Sequence, residues 1–159
     1  MIKITLITLG KLKEKYLRDA VNEYCKRLSR YCKLEIIEIE PVKLPEKPSD
    51  SEISGALEKE ALEILKRIPK DSAVFSLCIE GKELSSEEFA KKADDLACMG
   101  KGITFIIGSS YGLSSKIKAM SDFRLSVSKM TFPHQLFRVM LLEQIYRSFK
   151  INEGSAYHK

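Results

Sequence analysis

The chain has 159 residues, of which 44% are hydrophobic and 31% are charged, a composition that suits one globular domain spanning residues 1–159. No stretch approaches the roughly 20 apolar residues that cross a bilayer, and the amino terminus lacks the basic start and cleavage site of a signal peptide, so we expect a cytoplasmic protein that is not bound to a membrane. None of the four cysteines forms a C-x-x-C pair and there are only two histidines, which argues against zinc or another metal.

The net charge of +5 is concentrated near the amino terminus. Residues 1–33 hold nine Lys or Arg and three acidic residues, a net charge of +6, whereas the remaining chain has a net charge of −1. A basic patch of this kind attracts phosphate backbones and speeds encounter with them. A solvated helix face that keeps the protein in solution explains the same charge. Charge alone therefore leaves nucleic-acid contact and solubility as alternatives.

Strand and helix patterns alternate along the chain. Two capping boxes, in which a serine precedes a glutamate by three residues, begin helices after residues 49 and 85. The predicted elements, in chain order, are a strand near 2–9, a helix near 13–31, a strand at 34–39, a helix from 50 to about 67, a strand at 73–79 followed by a turn at 80–82, a helix from about 86, a strand at 102–108, a helix near 114–120, a strand at 123–128 and a helix at about 133–150.

This alternation predicts an α/β fold with a mainly parallel sheet and helices on both faces. Sites in such sheets gather at the carboxyl ends of strands, which here are residues 77–82, 108–112 and 127–132. The glycine-bracketed loop from Gly108 to Gly112 would let a ligand approach the backbone, although ordinary turn chemistry explains it equally well. The loop matches neither the phosphate-binding pattern of nucleoside triphosphatases nor the dinucleotide fingerprint, which disfavours phosphate-rich cofactors.

The last predicted helix carries an apolar stripe that is wider than one buried face needs. Burial against the sheet and against a second subunit would account for this width, so we expect a homodimer, with a central helix in a monomer as the alternative. Glu143 and Arg147 are four residues apart on this helix and can pair, by default as a solvated ion pair. The apolar residues of the stripe are Leu136, Phe137, Val139, Met140, Leu141, Leu142, Ile145 and Phe149.

The chain ends in Tyr157, His158 and Lys159. Terminal tails are usually frayed. An aromatic ring, an imidazole and a cation in succession could instead stack on a base and hold phosphate. Composition alone does not decide between a frayed tail and a nucleic-acid contact, and no catalytic triad or carboxylate dyad is evident elsewhere in the chain.

Six short blocks carry a family resemblance, and the last three are highly specific in their order and spacing. They are Leu9-Gly10-Lys11-Leu12-Lys13, Glu80-Gly81-Lys82 with Ser85-Ser86, Phe105-Ile106-Ile107-Gly108, Leu125-Ser126-Val127-Ser128-Lys129-Met130-Thr131-Phe132-Pro133-His134-Gln135, Glu143-Gln144-Ile145-Tyr146-Arg147 and Ala156-Tyr157-His158-Lys159. Through them the whole chain resembles the RlmH family of ribosomal RNA large-subunit pseudouridine methyltransferases, small members of the SPOUT superfamily.

The resemblance implies a carboxy-terminal trefoil knot, one of the rare exceptions to unknotted topology, and a homodimer. It also implies that S-adenosyl-L-methionine binds among the loops of the knot. One departure is Ser109, where the family commonly has a second glycine. The implied cofactor-binding residues are Leu77, Gly108, Val127, Ser128, Lys129, Met130, Thr131 and Phe132.

The implied reaction is methyl transfer from S-adenosyl-L-methionine to N3 of a pseudouridine in 23S ribosomal RNA, within the assembled ribosome. Such a displacement depends mainly on alignment of nucleophile and methyl carbon, with the basic amino-terminal helix and the dimer surface docking on the RNA. Two alternatives remain, a non-enzymatic ribosome-binding factor and another nucleotide-binding α/β enzyme. The candidates for substrate positioning are Glu143, which would orient Arg147, together with Arg147, Tyr157, His158 and Lys159.

Overall fold

The computed structural model describes residues 1–159 as ten alternating strands and helices. In chain order these are β1 (Ile2–Leu9), α1 (Lys15–Leu28), β2 (Cys32–Ile39), α2 (Asp50–Leu65), β3 (Ser72–Glu83), α3 (Ser86–Cys98), β4 (Gly102–Ile107), α4 (Ser115–Met120), β5 (Phe123–Ser126) and α5 (His134–Asn152). Both predicted capping boxes are present, because Ser49 and Ser85 each accept a hydrogen bond from the backbone of the glutamate three residues on.

All five strands form one parallel sheet in the order β2-β1-β4-β3-β5. The central strands are nearly continuous apolar runs, which is typical of parallel strands that are covered on both faces. Because consecutive side chains of a strand point to opposite faces, Leu6 and Phe105 enter one core while Ile7 and Ile106 enter the other. The predicted α/β architecture is confirmed.

Helices cover the two faces of the sheet unequally. The larger core lies under α1, α3 and α5, and α5 packs against both of the other helices. The smaller core lies on the opposite face, where α2 packs against α4 and buries Ile64 and Ile117. None of these helices combines the length and the apolar character that crossing a bilayer demands. The sheet is therefore held between two helical layers, and its strand ends remain open for a site.

The turn predicted at residues 80–82 was wrong, because β3 continues to Glu83. Leu125 of β5 pairs with Leu77 and, after a shift of register, again with Lys82. The returning segment passes so close to β5 that a Cβ on Gly81 would lie 2.7 Å from the carbonyl oxygen of Arg124. A close approach of two backbones, which local sequence does not reveal, thus replaces the turn.

Other predicted bounds shifted by a few residues at the ends, where helices fray and strands leave the sheet. Helix α1 is shorter than the predicted 13–31, and α5 extends to Asn152 with Pro133 just before its first residue. Strand β5 ends at Ser126 instead of 128, because the Ser126 hydroxyl bonds to the carbonyl oxygen of Ser128 at 3.1 Å and turns the chain away.

Candidate functional site

A cavity of about 710 Å³ opens at the carboxyl ends of β3, β4 and β5. Three segments form it: the irregular part of β3 from residue 77, the loop at 107–113 after β4, and the loop that joins β5 to α5. The three strand ends that the sequence singled out therefore meet at one place. The volume lies within the range of pockets that bind cofactors and other small molecules.

Most of the residues expected to bind the cofactor line this cavity. Lys129 and Met130 do not, and Met130 is 73% exposed. The Ser128 hydroxyl accepts a hydrogen bond from the Met130 amide at 3.0 Å, which closes a turn that directs these two side chains outward. The structure thus brings together Leu77, Gly108, Val127, Ser128, Thr131 and Phe132.

Gly108 is required by the loop that it begins. A Cβ at this position would lie 2.3 Å from the carbonyl oxygen of Gly112 and 3.0 Å from Cγ of Leu113. The Gly112 amide donates to the carbonyl oxygen of Ser109 at 2.8 Å, and Gly112 has a φ of 83°, which favours glycine. The loop therefore folds tightly over Gly108 before any ligand is considered.

Ser109 links this loop to α2. Its hydroxyl approaches Oε1 of Glu60 at 3.5 Å, while Oε2 of Glu60 accepts a hydrogen bond from the Val42 amide at 3.0 Å. Glu60 is only 5% exposed, and this burial raises the pKa of its carboxyl group. Neither Glu60 nor this contact was expected from the sequence, because α2 and the loop are distant along the chain.

The large cavity has both apolar and charged walls. Leu77, Phe132 and Phe137 supply apolar surface, and Glu80 and Lys118 form an ion pair at the rim. The Lys118 ammonium holds the pKa of the Glu80 carboxyl group below its usual value. The site can therefore hold a flat apolar ring together with hydroxyl groups and charges of either sign.

His134 begins α5 and lies in the wall of the cavity. Burial and the nearby positive charge of Arg138 lower the pKa of its imidazole, so the ring is neutral near pH 7. A neutral imidazole can accept a hydrogen bond through one ring nitrogen. The sequence offered no partner for His134, and the structure places it beside ligand space.

Arg138, one turn further along α5, is a buried cation that was not expected from the sequence. It is 3% exposed, pairs with Oε2 of Glu38 at 2.7 Å, and donates to the carbonyl oxygen of Gly10 at 3.1 Å. These bonds tie the turn after β1 to α5. The only signal in the sequence is the position of this arginine within the apolar stripe. A residue there is buried with the stripe, and a buried arginine is almost always paired.

The carboxy-terminal tail is bound to α5 and is not frayed. Arg147 pairs with Oε1 of Glu143 at 2.7 Å, as expected from their spacing. The Tyr157 hydroxyl donates to Oε2 of Glu143 at 3.0 Å. Nδ1 of His158 lies 3.2 Å from Nη1 of Arg147, and its Nε2 lies 2.7 Å from Glu87 of α3. Glu143 and Glu87 thus anchor the tail, while Lys159 is exposed at its end.

Aromatic rings and cations surround this tail. The guanidinium of Arg147 lies 4.8 Å from the centre of the Tyr157 ring, and Tyr146 packs edge-on against Tyr157. Burial and the Glu143 carboxylate raise the pKa of Tyr157, so its phenol remains a donor. We name Glu143, Arg147, Tyr157 and His158 the tail cluster. It presents fixed donors and a flat cation that suit contact with a nucleotide.

The tail cluster and the cavity do not meet within one chain. No residue of the cluster lines the cavity. Its nearest member along α5, Glu143, is six residues after Phe137 in the cavity wall, which corresponds to about 9 Å along the axis at the usual rise. The structure therefore brings most of the expected cofactor residues together and most of the expected substrate-positioning residues together, at two separate places.

A second cavity of about 300 Å³ adjoins the first. It lies between the turn after β1, the proline-containing segment after β2, and α2. The two cavities share Ser109, Ser110, Tyr111 and His134. Its other polar lining residues include Lys11, Lys13 and Glu60. No group of three or more His, Cys, Asp or Glu side chains in the structure is arranged to hold a metal ion.

Comparison with known proteins agrees with this geometry. Residues 2–158 match the family described as predicted SPOUT methyltransferases. A structure described as a probable methylase family protein from Haemophilus influenzae has a TM-score of 0.53 at 13% identity, over 99% of this chain and 70% of that one. At that identity the likeness shows the fold alone.

Closer relatives carry a more specific name. The chain is 57% identical over 159 residues to a ribosomal RNA large subunit methyltransferase H from Clostridium acetobutylicum, and 56% identical to one from Bifidobacterium adolescentis. A relative from Methanococcus maripaludis is 63% identical and has this name provisionally. Each match covers 99% of this chain and 100% of the relative. The chain therefore belongs to the SPOUT methyltransferase family, in its ribosomal RNA large subunit methyltransferase H group.

Proposed function

We propose that this protein transfers a methyl group from S-adenosyl-L-methionine to N3 of a pseudouridine in 23S ribosomal RNA, acting on the assembled ribosome in the cytoplasm. The observation that carries the proposal is the cavity built by the ends of β3, β4 and β5 in a chain of this family. The pseudouridine and its N3 atom come from the family resemblance, and the names of the relatives support a large-subunit RNA substrate.

The lining of the large cavity fits this cofactor. Leu77, Phe132 and Phe137 offer apolar surface for an adenine ring. Glu80 can accept hydrogen bonds from ribose hydroxyls, and Lys118 can pair with a carboxylate. When bound, the cofactor supplies an electrophilic methyl group on a sulfonium centre. The protein contributes alignment, since in-line displacement is governed mainly by the positions of the reacting atoms.

We further propose that two copies of the chain complete one site. Within one chain no residue of the tail cluster lines the cavity, so a second subunit would have to bring its Glu143, Arg147, Tyr157, His158 and Lys159 to the target nucleotide. The imide N3 would release its proton to solvent, and the Arg147 guanidinium would stabilise the resulting anion. Attack of this anion on the methyl carbon would break the carbon–sulfur bond and release S-adenosylhomocysteine. Apolar side chains of α5 remain partly exposed for such a dimer, among them Leu136, Val139 and Met140.

The remaining implications of the family are retained as parts of this proposal. The chain around β5 and α5 would form the trefoil knot. The amino-terminal segment would contact the RNA: Lys15 and Arg27 are engaged in ion pairs on α1, while Lys11 and Lys13 stand at the rim of the second cavity. Lysines that are not engaged in ion pairs can bind phosphates and so release the counterions condensed on the RNA.

A methylation assay tests this function. Purified protein is incubated with S-adenosyl-L-methionine carrying a labelled methyl group and with ribosomes, and the modified nucleotide is located by mass spectrometry. We expect label in one large-subunit pseudouridine, and none in ribosomes from a strain that lacks that pseudouridine. Calorimetric titration with the cofactor is the companion measurement. A protein that binds ribosomes but not the cofactor would instead be a non-enzymatic ribosome-binding factor.

A further inference from the structure

The smaller cavity contains a buried acceptor with spare capacity. The Glu60 carboxylate is 5% exposed and can accept about four hydrogen bonds. It receives one of normal length from the Val42 amide at 3.0 Å, and the Ser109 hydroxyl is at the outer limit of 3.5 Å. Buried carboxylates are normally well satisfied, so Oε1 of Glu60 is available to a ligand that brings an N–H group into the cavity.

Cations and an aromatic ring stand at the mouth of the same cavity. Lys11 and Lys13 line it and can hold phosphate. Their backbone is fixed, because Arg138 and Arg18 donate to the carbonyl oxygens of Gly10 and Lys13 at 3.1 and 2.7 Å respectively. Tyr111 also lines the cavity and is 48% exposed, so its ring is accessible for stacking on a base. The combination suits a nucleotide.

The position of this cavity suits a methyl acceptor. Its wall of Ser109, Ser110, Tyr111 and His134 is shared with the larger cavity. A group in the smaller cavity and a cofactor in the larger one would therefore be neighbours, as methyl transfer requires. At about 300 Å³ the smaller cavity is at the lower end of ligand pockets, a size that suits one base better than a second cofactor.

Pseudouridine differs from uridine in a way that matches the buried acceptor. Its base is joined to ribose through carbon, so it carries an N1–H in addition to the N3–H. With N3 turned toward the cofactor, N1–H is free to donate. Uridine has no such donor and would leave Oε1 of Glu60 without this partner, and a buried acceptor left unsatisfied is costly.

We propose that the smaller cavity receives the base of the target pseudouridine, with Glu60 accepting the hydrogen bond from N1–H and Lys11 and Lys13 holding the phosphates. This rests on the proposed function, and it identifies the residue that distinguishes pseudouridine from uridine. The target base would leave its stack to enter the cavity, as bases do in enzymes that modify them.

The test is binding of single nucleotides to the full-length protein. Pseudouridine 5′-monophosphate and uridine 5′-monophosphate are titrated into protein that is saturated with S-adenosylhomocysteine, and amide resonances are followed by NMR. We expect perturbations at Lys11, Val42 and Tyr111, and about tenfold tighter binding of pseudouridine monophosphate, as a hydrogen bond to a charged group would give. No binding at millimolar concentration, or equal affinities, would overturn the proposal.

Variants of Glu60 separate its role from a structural one. Glu60→Ala should abolish the preference between the two nucleotides, and Glu60→Gln, which can keep the bond from the Val42 amide, should reduce it. Glu58→Ala removes an exposed carboxylate two residues away on α2 and should leave the preference intact. A preference that persists in a folded Glu60→Ala protein contradicts the proposal, and so does its loss in Glu58→Ala.

Lysine variants test the phosphate contacts. The double variant Lys11→Ala, Lys13→Ala should bind both nucleotides more weakly, by the same factor. Lys33 is an exposed lysine that lines neither cavity, so Lys33→Ala should not change either affinity. An unchanged affinity in the double variant would remove the lysines from the site. Cofactor titration and ribosome methylation on wild-type protein separate failure of this site from failure of the proposed function. If both measurements succeed while the nucleotide preference is absent, only the proposed base site is wrong. If both fail, the proposed function is wrong.

Discussion

Tyr157 donates a hydrogen bond to Glu143 at 3.0 Å, and this bond joins the end of the chain to the middle of α5. The same carboxylate receives Arg147, whose guanidinium lies over the Tyr157 ring. A tail that would ordinarily be frayed is thus held as part of the surface. Its residues have a defined geometry before any ligand is bound, which lowers the entropic cost of binding.

Tyr157→Phe should lower the free energy of unfolding by about 1 kcal/mol, since one hydrogen bond to a carboxylate is lost at a partly exposed site. Urea denaturation measures the change. Tyr16→Phe is the matched control, because Tyr16 is largely exposed on α1, and it should leave stability unaltered. Equal stabilities of wild type and Tyr157→Phe would mean that the tail is not held in solution.

Deletion of Tyr157 to Lys159 should abolish methylation of ribosomes while cofactor affinity remains unchanged. The deleted side chains contact α5 and α3 and line neither cavity of the same chain. The melting temperature should fall by only a few degrees, because little apolar area is removed. Methyl transfer and calorimetry are run on the same preparation. Methylation at the wild-type rate would show that the tail has no role in catalysis.

Gly108→Ala should weaken cofactor binding at least about tenfold and reduce stability by about 1–3 kcal/mol, as overpacking generally does. The new Cβ would meet the carbonyl oxygen of Gly112 at 2.3 Å, so the loop must move. Gly55→Ala on α2, where a Cβ meets nothing within 4 Å, should bind the cofactor normally, as calorimetry can show.

Met140→Lys should convert a dimer into a monomer. Met140 is partly exposed on α5 in a single chain, and a buried lysine without a partner would cost several kcal/mol at an interface. Sedimentation velocity at micromolar concentration reports the oligomeric state. Met99→Lys changes a methionine that is 70% exposed at the end of α3, and it should remain dimeric. A monomeric wild-type protein would exclude a site shared between subunits.

The environment of His134 makes stability depend on pH. Burial and Arg138 lower its pKa in the folded protein, while the unfolded chain takes up a proton near about pH 6.5. Because the unfolded state then binds more protons, the free energy of unfolding should decline as pH falls below about 6.5. His134→Gln should show a smaller decline between about pH 7 and 5 in urea titrations. If the free energy of unfolding varied with pH equally in wild type and His134→Gln, folding would not lower the pKa of His134.

Local sequence determined the elements of this protein. Apolar runs define the strands, and each capping box forms between residues three apart, so a serine and a glutamate suffice to locate a helix start. The parallel sheet follows from the alternation of strands and helices. The strand pattern also located the large cavity, because the carboxyl ends of parallel strands lie on one edge of the sheet.

Tertiary structure decided what local pattern cannot encode. Arg138 pairs with Glu38, which is a hundred residues away, and Glu60 of α2 contacts Ser109 after β4. Because these partners are so distant along the chain, no sequence spacing predicts either contact. The turn expected at 80–82 became strand because β5 lies against Gly81. Packing of the chain also separated the tail cluster from the cavity. Long-range contacts depend on how layers stack, and the sequence period of each element specifies only which face is apolar.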